Sequence, residues 1–174
     1  MTQLVIKRQV QLRKPPANDN FADATEMLRI GSDNTAWEKM PEVELAGATV
    51  EATEVSGSNW GVSPGYQSLW WKFTPAGATT VSIRNINSIF GASSGSGDST
   101  GVFLDLVMAV WRGSSFGTLV EMDSTLYTAD TAGPYDGTAT WAATAGTVYH
   151  IQIAAGGTSG PSKNGKVVLE WKLA

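Results

Sequence analysis

His150 is the only histidine in the 174-residue chain, and it sits in the run VYHIQI between Tyr149 and Ile151. A Ser/His/Asp relay would have to recruit it as its base. No serine stands in a Gly-x-Ser-x-Gly elbow and cysteine is absent, so neither common nucleophile comes with a local motif. Strand alternation makes His150 an outward-facing strand residue instead. The densest acids are Asp19, Asp23, Glu26 and Asp33. Hard cations take several oxygens from such loops, but the ordered glycine and distal glutamate of an EF-hand are missing here. Capping and turn formation account for these acids, and nothing in the acid spacing supports a glycosidase pair. GSGDSTG is glycine-rich yet lacks the lysine and following helix of a phosphate loop. No metal site, cofactor or catalytic set is therefore expected.

Aromatic residues are the other candidates. Seven tryptophans are present: Trp37, Trp60, Trp70, Trp71, Trp111, Trp141 and Trp171. An indole face can stack on a sugar, but strand aromatics usually fill cores. Trp71, Trp111 and Trp171 read as core. Trp37 and Trp60, in loop-like surroundings, and Trp70 are the candidate aromatic contacts. In SLWWKFT, Leu69, Trp71 and Phe73 share one parity, and Ser68, Trp70, Lys72 and Thr74 share the other. The wholly apolar set belongs in a core. Trp70 points the other way and is expected to be covered by the arm, a loop or a neighbour, because bare tryptophan promotes association.

The elements that position these residues are short strands. Ser68–Thr74 is the clearest. PAGA then turns the chain into Thr79–Asn85, which reads as a hairpin. Phe103–Trp111 is a nearly continuous apolar run and is expected to be central, covered on both faces. Further strands are read at Thr49–Glu54, Thr118–Ser124, Thr138–Ala142, Val148–Ala154 and Lys166–Leu173. The segment NDNFADATEMLRIG could form one helical turn, capped by Asn18, Asp19 or Asn20, with Phe21, Ala24 and Leu28 near one face. GASSGSGDSTG is a low-complexity loop.

Charged residues make up only 16% of the chain, well below the usual quarter, and 19 glycines accompany 42% hydrophobic residues. That composition belongs to a loop-rich β protein. The net charge of −4 is unevenly placed. Residues 1–17 hold Lys7, Arg8, Arg13 and Lys14 and no acid, which leaves eight bases against sixteen acids in the remainder. The arm alternates poorly but is β-prone: Leu4, Ile6, Val10 and Leu12 share one parity with Arg8 interrupting, and KPPANDN breaks regular structure after it. Four bases are too few to favour nucleic acid. No run is long and apolar enough to span a membrane, and MTQLVIKRQV lacks the apolar core and cleavage site of a secretory signal.

Six segments follow one another in register between Asn18 and Trp171: NDNFADATEM, GATVEATE, SLWWKFTPAGATTVSI, LDLVMAVWRGSSFGTLVEMD, TWAATAGTVYHIQIAA and GKVVLEW. Together they resemble the bacterial pre-peptidase C-terminal domain. The resemblance implies a β-sandwich of about eight strands. It also implies an accessory module, usually beside secreted peptidases, with binding or solubilising roles and no active site. The sequence departs from that pattern in having no peptidase, no secretory signal and a basic arm in front. Some relatives carry an acid-rich segment after the strand matching Val107–Trp111, and some bind calcium. Here the segment reads EMDS, and Asp123 alone is too little for a calcium site.

The expected fold is all-β: a jelly-roll-like antiparallel β-sandwich of about eight strands at residues 18–174, preceded by a basic N-terminal arm and hinge at residues 1–17. The expected function is non-enzymatic: a structural or interaction module, read as a phage or phage-like virion component, either capsid decoration or tail protein. An extracellular-type fold without an export signal suits a protein made in a host cytoplasm and released by lysis. The arm would dock on neighbouring subunits, identical copies or other virion proteins, through Leu4, Ile6, Lys7, Arg8, Val10, Leu12, Arg13 and Lys14. The alternative is a carbohydrate- or matrix-binding accessory domain of an exported protein.

Overall fold

The computed structural model describes residues 14–28, 35–58, 67–85, 90–91, 106–127, 138–155 and 164–174. Among the described residues twelve strands are formed: β1 (Thr25–Glu26), β2 (Glu38–Lys39), β3 (Val43–Glu44), β4 (Ser68–Phe73), β5 (Thr79–Asn85), β6 (Phe90–Gly91), β7 (Leu106–Arg112), β8 (Val120–Tyr127), β9 (Thr138–Ala143), β10 (Tyr149–Ala155), β11 (Asn164–Val167) and β12 (Leu169–Leu173). Two short 3-10 turns, Phe21–Asp23 and Phe116–Thr118, are the helical elements among the described residues.

The strand pairing is nested. β7 and β8 form the innermost antiparallel pair. Outside them β5 pairs with β9, β4 with β10, and β2 with β12, all antiparallel. A long two-stranded ribbon with this nesting can bury one face only by rolling on itself. Its strand pairs then fall alternately into two sheets, ordered β1-β4-β10-β7-β8 and β2-β12-β5-β9. Those eight nested strands are the eight of a double-sheet jelly roll. β1 adds to β4 in parallel, and a small ladder β3-β11-β6 extends one end.

The rolled ribbon corrects the hairpin expected for β4 and β5. PAGA does turn the chain, but β5 enters the opposite sheet, where it pairs with β12 and β9. A turn signature reports a change of direction and not whether the two strands bond to each other. The strand expected at Thr49–Glu54 is also absent. Its backbone is spent on tertiary bonds, with the Thr49 carbonyl accepting the amide of Ser68 at 3.0 Å. The single run Lys166–Leu173 is divided at Val168 between the small ladder and the four-stranded sheet.

Alternation sets the core. Leu69, Trp71 and Phe73 of β4 join Ile151 and Ile153 of β10 and Met108 and Val110 of β7 against Val81, Ile83, Trp141, Leu169 and Trp171 of the opposite sheet. Phe73 meets Trp171 with ring centroids 5.0 Å apart, and Trp141 meets Tyr149 at 5.8 Å, so aromatic pairs bridge the two sheets. β7 is covered on both faces, as its apolar run requires: Val107, Met108, Ala109 and Val110 are all fully buried.

β8 and β9 stand at the open seam between the sheets. A register shift opposite Val110 and Trp111 lets Met122 bulge out of β8. The carboxylate of neighbouring Asp123 then accepts the backbone amide of Thr140 at 2.8 Å and closes the seam. Asp123 is thus an interstrand latch. Asp123→Ala is expected to cost about 1 kcal/mol, the scale of one such exposed bond. Faster hydrogen exchange at the Thr140 amide, with exchange in β4 unchanged, is the local signature to look for.

Candidate interaction site

The outer face of the five-stranded sheet carries the residues that looked most reactive. It is closed by the chain itself. Asn18 lies along the edge of β4, its carbonyl accepting the Trp70 amide at 2.9 Å and its side-chain amide donating to the Trp70 carbonyl at 3.1 Å. Asp19 holds the next loop, accepting the Thr49 amide at 2.5 Å and the Thr49 hydroxyl at 2.8 Å. The Phe21 amide donates to the Glu51 carboxylate at 2.6 Å. Asn20 bonds Asp23 through its side-chain amide at 3.2 Å. The motif NDNF is therefore a clasp, and its acids are hydrogen-bond acceptors of the fold. The segment makes one 3-10 turn, with Phe21 and Ala24 buried; Leu28 falls off that face and is 68% exposed.

Under the clasp lies a second apolar cluster of Phe21, Ala24, Trp70, Val107, Ala109, Trp111 and Ala154. Trp70 is 0% exposed, packed edge-on to Phe21 at 5.2 Å and to Phe116 at 5.9 Å. It is covered by loops of its own chain, and this removes it from the aromatic contact set. Trp111 is tied into a polar network, whereas the buried Trp70 Nε1 has no hydrogen-bond partner among the described residues. Trp111 Nε1 donates to Gln152 Oε1 at 2.9 Å, and Gln152 Nε2 donates to Glu54 Oε1 at 2.8 Å and to the Val55 carbonyl at 3.0 Å. Burial raises the Glu54 pKa against the lowering effect of these bonds. Ser58 anchors the far end of the loop by donating its amide and hydroxyl to Glu121.

His150 faces outward, as alternation requires, but is only 5% exposed. Its ring stacks on Phe21 at 4.1 Å. Burial lowers its pKa to about 4, with the Lys72 charge acting in the same direction and a backbone hydrogen bond at Gly113 opposing. A neutral imidazole under a phenyl ring is poorly placed to reach a substrate.

Trp37 is half-buried on the outer side of the four-stranded sheet. The Arg84 guanidinium lies 4.1 Å from its ring centroid and the Lys172 ammonium 4.9 Å. Arg84 is itself fixed by Glu170, to which its Nε and Nη2 donate at 3.0 and 2.7 Å. The indole therefore serves as a platform for the protein's own cations. Trp60 and Asp33 lie outside the described residues, as do Leu4, Ile6, Lys7, Arg8, Val10, Leu12 and Arg13 of the arm. Lys14 and Pro15 are exposed.

Among the described residues an apolar pocket of about 500 Å³ lies at the end of the sandwich, overhung by the Thr74–Ala78 turn. Met27, Phe73, Pro75, Trp171 and Leu173 line it, with Leu28 and Glu26 at its mouth. Glu26 faces Lys72 at 4.0 Å, a loose and solvated pair. The lining is largely apolar with the Glu26 carboxylate at its mouth, an arrangement that suits binding an apolar group beside a cation. Comparison of the chain with models of known protein families and with characterised proteins gives no match. The pocket was not legible in the sequence, because its walls come from strand ends far apart in the chain. The sequence groups Leu28 with Phe21 and Ala24, and only its exposure in the structure marks it as part of the pocket's mouth.

Proposed function

We propose that the chain is a non-enzymatic interaction module, a virion component of capsid-decoration or tail type, that docks on neighbouring protein subunits through its basic N-terminal arm. The observation that carries this reading is the closure of the outer sheet face. The only histidine and Trp70 pack against Phe21 of the clasp, and Trp111 and Gln152 bond each other and the Glu54–Val55 loop, so these groups are internal. The carbohydrate reading loses Trp70 to burial and finds Trp37 engaged by Arg84 and Lys172. The jelly-roll architecture fits both capsid and lectin domains and is support by analogy only. The likeness of NDNF and the tryptophan strand to pre-peptidase C-terminal domains agrees with an accessory role without an active site.

Deletion of residues 2–13 is the direct test. The truncated body should fold with an unchanged melting temperature, because the described clasp begins at Asn18, but it should lose self-association in sedimentation. A truncated protein that associates with unchanged affinity overturns the proposal.

A further inference from the structure

The pocket at the sandwich end is the strongest unassigned feature, and the sequence supplies an occupant with matching chemistry. We infer that it receives the N-terminal arm of a second copy of this chain, an apolar residue of the arm entering the pocket while Lys7 or Arg8 approaches Glu26. This rests on the arm-docking reading above and names its receptor.

Three observations favour this occupant. First, the apolar lining ends at Leu28, which is 68% exposed, beside the Glu26 carboxylate. A segment that sets apolar residues directly beside bases matches an apolar cavity with a carboxylate at its mouth. The arm has Ile6 next to Lys7 and Arg8, and Val10 and Leu12 before Arg13. Second, charge is complementary overall: the arm holds four bases and no acid, and the body has twice as many acids as bases. Third, the exit path leads outward. Lys14 and Pro15 are exposed, and the body's bonds begin with the Pro16 carbonyl, which accepts the Asp19 amide at 3.3 Å. Adjacent prolines hold an extended, stiff course, and the residue before them is extended too. Thirteen further residues, at roughly 3.3 Å each, reach about 40 Å, enough to cross to a second molecule.

The test uses the full chain with Leu28→Lys, Ala76→Lys and Glu26→Lys, at three exposed positions on the mouth of the pocket. Each should leave the melting temperature nearly unchanged. Leu28→Lys and Ala76→Lys should weaken self-association about tenfold or more, the scale of withdrawing one leucine-sized apolar contact. Glu26→Lys should weaken it most at low salt, where exposed charges are least screened. A synthetic peptide of residues 1–14, added to the deletion body, should bind at one site and be lost with the same substitutions. If deleting the arm abolishes association while all three pocket variants associate normally, the receptor assignment falls and the arm-docking reading stands. If deleting the arm changes nothing, both fall. A full-length chain that stays monomeric while the peptide binds its pocket places the arm on its own body and overturns the second-copy assignment.

Discussion

Trp71→Ala is expected to lower the unfolding free energy by about 3–5 kcal/mol, the usual cost of emptying a large aromatic site in a closed core. Trp71 is 1% exposed and lies between β1 and β10, with Thr25 and Ile151 as its register partners. It belongs to the main cluster, where both sheets contribute walls and neither can collapse without moving whole strands. Trp70→Ala removes an equal volume from a different setting. Its cover is the Asn18–Ala24 clasp and the Phe116 turn, short segments free to settle into part of the void. The expected cost is therefore smaller, about 2–3 kcal/mol. It should also appear locally, as faster hydrogen exchange in the clasp and at Thr49 before global unfolding. Denaturant melts of the two variants decide the matter. If Trp70→Ala proved the more destabilising, the second cluster and not the inter-sheet core would be the main anchor of β4.

The tryptophan pair also marks where sequence reasoning succeeds and stops. The parity of SLWWKF places Trp71 inside because the strand period fixes alternate faces whatever the strand pairs with. The same rule places Val81 and Ile83 inward and His150 outward. Burial of β7 on both faces follows from an apolar run with no polar face. None of this needs long-range information. Pairing does need it, and there the reading fails. PAGA looks the same in a hairpin as in a turn that passes between sheets, so β4 and β5 were joined wrongly. GATVEATE has the β-branched residues of a strand, yet Glu51 and Glu54 turn to accept the Phe21 amide and the Gln152 side chain. Carboxylates in such a run signal solvent exposure only if nothing buried needs an acceptor. Gly113 illustrates a position the sequence marks but does not explain. It has φ of 139°, and a Cβ there would come within 2.7 Å of the Thr118 carbonyl oxygen, so the turn that brings Phe116 over Trp70 depends on glycine.

Acidification should loosen the clasp, and His150 is the group that should report it. The imidazole is neutral in the folded chain because burial against Phe21 and the charge of Lys72 hold its pKa at about 4, below an unfolded value of 6.5. The unfolded state therefore binds the extra proton first. Stability from this group is complete above the unfolded pKa and is lost as pH falls from about 6.5 toward 4. The linkage amounts to at most about 2 kcal/mol between pH 8 and pH 5. Glu54 acts in the opposite sense. Its folded pKa is raised by burial, so its contribution favours the fold at low pH and is lost as pH rises through that value. The two windows adjoin, so a variant that removes the imidazole alone is needed to isolate the histidine effect. His150→Phe keeps a ring against Phe21 and removes the proton-binding site. Denaturant melts of the parent chain should show a fall in stability from pH 7 to pH 5 that the phenylalanine variant lacks. Equal slopes for the two proteins would mean that His150 is hydrated in solution and that the clasp does not seal the outer face of the sheet.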